Sequence, residues 1–147
     1  MYCYKISKSS WGIAVLLEIR TYSEIDYNSF KINDNLYLKL DNCGLTKPYY
    51  IFLINGLKWI EGTINMQKKL MISIESIEFS LCDFQDEGLF FAIASWASDY
   101  FKLEKLNYDY VYNKNINRYI FNFSENDILG ERLLKEAVQK VANEFSS

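Results

Sequence analysis

Hydrophobic residues recur along this chain with two different spacings, which predict a mixture of strands and helices. In three stretches they occupy every second position, as in strands with one buried face. These stretches are residues 11–22, 29–41 and 70–81. The second stretch contains the turn sequence Asn33-Asp34-Asn35. The third changes phase by one residue at Glu75-Ser76, which indicates a β-bulge.

Elsewhere the apolar residues are three or four positions apart, as in amphipathic helices. This spacing predicts a helix over 49–64 just after Pro48, with a strand as the alternative because glycine disfavours a helix interior. One of its glycines, Gly56, is expected where the helix backbone closely approaches the sheet. Over 89–101, two adjacent apolar stripes predict a central helix with Trp96 in the core. A capping box from Ser124 to Asp127 precedes the last predicted helix, which runs to the C-terminus.

A row of tyrosines, Tyr108, Tyr110 and Tyr112, alternates with other residues and is followed by the asparagine-rich turn 113–115. Together with the extended stretch 119–123 it predicts a β-hairpin. One interpretation of the row is a platform on which bases stack. No Arg or Lys interleaves with the tyrosines, so packing against the sheet or against a protein partner is the favoured interpretation.

The predicted elements follow one another without a linker or a repeat, so residues 1–147 are expected to form a single domain. A chain of this length removes roughly 70% of its unfolded surface from water, which is enough for one core. The predicted class is α+β. We expect a mixed or antiparallel β-sheet with about three helices packed on one face.

The charge and composition narrow the range of partners. The formal net charge of −3 opposes binding to phosphate backbones and favours a basic protein partner. The first ten residues lack the apolar segment of a signal peptide, and no apolar run approaches the roughly 20 residues that span a bilayer. The sequence therefore predicts a cytoplasmic protein without a membrane segment. Its abundance of Ile, Lys, Asn and Tyr favours a bacterium with A/T-rich codons.

The sequence contains no histidine, which argues against most catalytic mechanisms. Histidine is the commonest general base near neutral pH, the commonest metal ligand and the usual partner of a nucleophilic Ser or Cys. No catalytic residue, cofactor-binding residue or metal ligand is therefore assigned. Three acids, Asp83, Asp86 and Glu87, leave acid–base chemistry or a divalent-cation site open. The favoured interpretation is that they begin a helix, whose positive dipole end attracts negative charge.

The order of these elements resembles domain IV of elongation factor G and the ribosomal-protein-like βαβ fold to which it belongs. The resemblance rests on Gly12, on the helix FLINGLKW at 52–59, on the strand ISIESIEFSLCDF at 72–84 and on the helix at 87–101. It implies a left-handed βαβ crossover, contrary to the usual right-handed rule, and nothing about activity, since a shared fold does not transfer function. The phosphate-binding Gly-rich loop of a GTPase is missing from the sequence.

These observations favour a non-catalytic protein-binding protein. In its general character the chain resembles the immunity proteins of bacterial polymorphic toxin systems, and a basic toxin is the expected partner. Candidate partner-binding residues are Asp83, Asp86, Glu87, Tyr108, Tyr110 and Tyr112. The alternative is a ribosome- or RNA-associated module, which needs a basic face from Lys58, Lys68, Lys69 and Lys102. A third hypothesis is an enzyme that uses carboxylates alone.

Overall fold

The structure, a computed structural model, describes residues 1–79 and 84–146. The predicted α+β class is confirmed. The sheet contains β1 (Tyr2–Ser7), β2 (Gly12–Tyr22), β3 (Phe30–Asn33), β4 (Leu36–Lys39) and β5 (Leu70–Phe79). The helices are α1 (Tyr50–Glu61), α2 (Glu87–Tyr100) and α3 (Ile128–Phe145), and a separate hairpin consists of β6 (Tyr108–Asn113) and β7 (Arg118–Phe123).

The five strands form a mixed sheet in the order β1-β2-β5-β4-β3. Only β4 and β5 run parallel, and α1 connects them, so the chain contains a βαβ unit. The helix interpretation of 49–64 is therefore confirmed, with a short 3₁₀ turn at Lys47–Tyr49 before α1. Strand β1 was not predicted, because only Tyr4 and Ile6 mark its alternation with buried side chains.

The predicted bulge in β5 is confirmed by the register with β2. Glu18 pairs with Ser76 and Ile19 pairs with Ile74, so Glu75 has no partner on β2. The extra residue keeps the isoleucines on both sides of the bulge on the core face of the sheet. It also leaves two successive residues, Glu75 and Ser76, on the opposite face.

The core lies between one face of the sheet and the helices. Ile13, Val15 and Leu17 on β2 are fully buried, and Gly88 at the start of α2 lies directly over Ile13. A β-carbon on Gly88 would be 2.6 Å from the Ile13 Cγ2 atom, so this glycine permits the close approach of α2 to the sheet. Helix α1 shares this layer, while α3 packs on α1 and on β7.

The close approach predicted for Gly56 exists, but the neighbour is a helix and not the sheet. A β-carbon at this position would be 2.4 Å from the carbonyl oxygen of Phe90. The backbones of α1 and α2 therefore meet at Gly56. Glycine is needed there because helix axes can come this close only where one side chain is absent.

Two further predictions need correction. Trp96 is half-buried and stacks on Tyr100, whose side chain is 47% exposed, so this end of α2 lies at the margin of the core. The predicted capping box does not form as expected. Asp127 itself precedes α3, and its carboxylate accepts a hydrogen bond from the Gly130 backbone N–H at 2.9 Å.

Candidate functional site

The hairpin β6–β7 turns an aromatic face toward the helices. Its six aromatic residues form three cross-strand pairs, which are Tyr108 with Phe123, Tyr110 with Phe121, and Tyr112 with Tyr119. Phe91 of α2 stacks on the rings of Tyr108 and Phe121, with 4.4 Å between ring centroids in both cases. The tyrosine row is thus half-buried against aromatic neighbours of the same chain, as the packing interpretation expects.

Hydrogen bonds fix the hairpin to β1 and to the turn between β1 and β2. The hydroxyl of Tyr119 donates to the Trp11 carbonyl oxygen at 2.7 Å and accepts from the Lys8 backbone N–H at 2.8 Å. The hydroxyls of Tyr4 and Tyr108 are 2.8 Å apart, and burial raises the pKa of both phenols. The hairpin is therefore held in one position relative to the sheet.

The side-chain amide of Gln85 lies along the outer edge of β7. Its Nε2 atom donates to the Tyr119 carbonyl oxygen at 2.7 Å, and its Oε1 atom accepts from the Tyr119 N–H at 2.9 Å. This pair of bonds is what a neighbouring strand would provide. Gln85 is only 4% exposed, so it is buried and fixed in place. It covers the outer edge of β7 at Tyr119.

Beyond Gln85, the edge of β7 faces a groove of about 780 Å³ whose other wall is α3. Successive residues of a strand direct their backbone groups to opposite edges, so Phe121 presents its N–H and C=O to the same side as Tyr119. Within residues 1–79 and 84–146, no hydrogen bond from another element reaches these two groups. Apolar side chains line the groove, namely Ile120, Ile128, Leu134 and Val138.

Charges in the groove wall occur as matched pairs. Arg118 lies 2.9 Å from Glu87, Lys135 lies 2.8 Å from Glu131, and Arg132 lies 3.7 Å from Glu136. The last two pairs are exposed and join residues four apart on α3, where such pairs stabilise only slightly. The groove has no net formal charge, so it does not attract a positively or a negatively charged partner segment in general.

The acids predicted as partner-binding residues lie at the start of α2. Burial raises the pKa of Asp86, and it raises that of Glu87 more than the neighbouring Arg118 lowers it. Asp86 precedes the helix without a capping hydrogen bond from its side chain, and Glu87 stands in the first turn. Both positions fit the interpretation that these acids begin a helix. Asp83 lies outside the described residues.

The structure therefore brings Glu87 to the wall of the groove and turns the three tyrosines away from it. Partner binding by these residues stays a prediction. Sequence reasoning missed Gln85 and Arg118, the two residues that connect the start of α2 to β7. Each contacts a residue more than 30 positions away, and no local pattern marks such a pair.

The fold and the groove define a small α+β domain with a partly open strand edge beside a helix. No family model matches the sequence, and no match was found among curated proteins or solved structures. Among the helices of the described ranges, none has the length and apolar character required to cross a membrane. The described part of the chain also contains no group of three or more His, Cys, Asp or Glu side chains placed to hold a metal ion.

Proposed function

We propose that this protein is a non-catalytic protein-binding protein whose groove receives an extended segment of the partner. The segment adds as a strand to the outer edge of β7. The pairing of the Gln85 amide with Tyr119 carries this proposal, because it shows that this edge accepts strand-like hydrogen bonds. Strand addition of this kind gives affinity through backbone bonds and specificity through alternate side chains.

The chemistry of the groove defines the segment that fits it. Phe121 offers one backbone donor and one backbone acceptor next to the position that Gln85 occupies. Ile128 and Val138 on α3 are 74% and 43% exposed, so an apolar side chain of the partner would cover them. Because the charges of the wall are already paired, an uncharged segment with alternating apolar residues fits best.

A basic toxin remains the first partner to test, with the chain acting as its immunity protein. The support for this choice is the net charge of −3, since opposite charge accelerates association and selects partners. The groove itself is neutral, so attraction of a basic protein must come from other surfaces. The genes that neighbour this one are the place to look for the toxin.

The test uses two substitutions of exposed apolar residues by arginine. Val138→Arg places a charge in the groove, while Ile116→Arg changes the hairpin turn outside the groove, where the side chain is 54% exposed. A partner identified from the source cell should bind the unmodified chain and Ile116→Arg alike. Its affinity for Val138→Arg should be at least about tenfold lower, since a buried unpaired charge is costly at an interface.

Hydrogen exchange tests the geometry in the same complex. The amide of Phe121 should exchange more slowly when the partner is bound, because a partner carbonyl then accepts its hydrogen bond. The Tyr119 amide already donates to Gln85 and should change less. Unchanged exchange at Phe121, together with equal affinity for both arginine variants, would rule out strand addition at this edge.

A further inference from the structure

A second cavity, a cleft of about 410 Å³, lies on the face of the sheet opposite to α1 and α2. Met71 and Ser73 of β5 form its floor, since they alternate with the core residues Ile72 and Ile74. Tyr22 of β2 and the loop that follows it form one wall. The cleft shares no residue with the groove beside β7.

The cleft carries an excess of negative charge. Glu24, Asp26 and Glu75 line it together with one cation, Lys39. The Lys39 ammonium lies 3.2 Å from an Asp26 carboxylate oxygen, and its pKa is raised first by Asp26 and also by the negative charge of Glu75. Within the described residues, neither Glu24 nor Glu75 forms an ion pair of its own. Arg20, an exposed cation, stands opposite Ser73 in the antiparallel register and therefore on the same face of the sheet.

The bulge in β5 accounts for the position of Glu75. As the unpaired extra residue it belongs to the same open face as Ser73, and its side chain lines the cleft. The hydroxyl of Tyr22 donates to its Oε1 atom at 3.1 Å, which fixes the carboxylate at the wall. The second oxygen of this carboxylate has no hydrogen bond to another described residue.

Ser73 provides an independent sign of a ligand. The residue is 4% exposed, yet its hydroxyl takes part in no hydrogen bond within residues 1–79 and 84–146. Over the same ranges, every fully buried side-chain nitrogen or oxygen atom has a partner. The Ser73 hydroxyl therefore opens into the cleft, where it can accept a hydrogen bond from a bound group.

We propose that this cleft binds the guanidinium group of an arginine side chain. A guanidinium carries five N–H donors in a planar fork, which suits several acceptors converging from different sides. The Glu24 and Glu75 carboxylates and the Ser73 hydroxyl supply these acceptors. The aliphatic stem of the arginine lies along Met71 and the ring of Tyr22, as long basic side chains do on apolar surfaces.

NMR amide spectra of the whole protein test the proposal with N-acetyl-arginine amide as the probe. Saturable shifts should appear at Ser73, Glu75 and Asn42, and the affinity should fall as salt is added. N-acetyl-citrulline amide has the same shape without the charge and should cause no saturable shift. Equal shifts from both probes, or none at the cleft from the arginine probe, would refute the site.

Three substitutions separate the cleft from the general charge of the protein. Glu75→Gln should weaken binding by roughly three- to tenfold, the range for a partly exposed charge-assisted hydrogen bond. Glu78→Gln removes the same charge from an exposed position on the same strand and should leave the affinity unchanged. Ser73→Ala should also weaken binding, although the net charge stays the same. If Glu78→Gln loses as much affinity for the arginine probe as Glu75→Gln does, the proposal is overturned.

The source of the guanidinium group follows from one more titration. Tighter binding of the N-acetyl amide than of free arginine assigns the cleft to a residue within a protein chain. Equal affinity assigns it to a free guanidinium compound. Neither result depends on strand addition at β7, so the two proposals can fail separately.

Discussion

The indole N–H of Trp59 donates a hydrogen bond of 2.7 Å to one carboxylate oxygen of Asp127. The other oxygen of the same carboxylate accepts from the backbone N–H of Gly130 at 2.9 Å. A single acidic side chain thus caps α3 and joins it to α1. The position of α3, and with it one wall of the groove, depends on this residue.

Replacement of Asp127 by alanine should lower the free energy of unfolding by about 1–3 kcal/mol, because a helix cap and a hydrogen bond from a buried indole are lost together. Urea denaturation measures the change. Glu125→Ala is the matched control, since Glu125 is an exposed acid two residues away. Equal stability of both variants would show that the contact between Trp59 and Asp127 does not hold α3 in place.

Gly56 within α1 and Gly62 directly after it should respond to replacement by alanine in opposite directions. Gly56→Ala places a methyl group against the Phe90 carbonyl oxygen and should destabilise by about 1–3 kcal/mol, despite the better helix propensity of alanine. Gly62 has φ of −65° and no atom within 4 Å of a β-carbon. Gly62→Ala should therefore stabilise by about 0.5–1 kcal/mol. Thermal or urea unfolding compares the two, and a stabilising Gly56→Ala would contradict the close helix contact.

Replacement by alanine should destabilise the protein more at Trp59 than at Trp96. Trp59 is 8% exposed and contacts four aromatic rings, so Trp59→Ala should cost about 3–5 kcal/mol. Trp96 is half-buried and stacks on an exposed ring, so Trp96→Ala should cost clearly less. Denaturation of both variants under one condition decides the order. A larger loss of unfolding free energy for Trp96→Ala than for Trp59→Ala would mean that Trp96 does not lie at the margin of the core.

Glu87 should make stability depend on pH. Burial raises its pKa in the folded protein, so the folded state holds this proton more tightly than the unfolded chain does. The free energy of unfolding should therefore decrease as pH rises from the unfolded pKa, about 4.3 for glutamate, through the higher folded pKa. In Glu87→Gln this contribution disappears, and Glu125→Gln controls for the loss of one carboxylate. Urea denaturation from about pH 4 to about pH 7 measures the profiles, and a contribution that increases with pH would contradict the predicted sign.

Most of the fold could be predicted from the sequence because every element except β1 is long or regular enough to show its buried face as a repeated spacing of apolar residues. The phase change at Glu75 even located the bulge, since one extra residue shifts every later side chain by one position. The neighbour of Gly56 could not be predicted, because a helix glycine indicates a close approach but not what approaches. The groove could not be predicted either, because the roles of Gln85 and Arg118 depend on contacts with residues that are distant in the sequence.

Phe91 belongs to α2, yet its ring is covered by the hairpin that follows later in the chain. During synthesis both α1 and α2 leave the ribosome before residues 108–123, so Trp59, Phe90 and Phe91 have no cover at that stage. A two-stranded hairpin is at most marginally stable alone. The hairpin can therefore cover the aromatic residues of the helices only late, when both pack together. A nascent chain stalled before residue 108 would expose an apolar aromatic surface of the kind that chaperones bind.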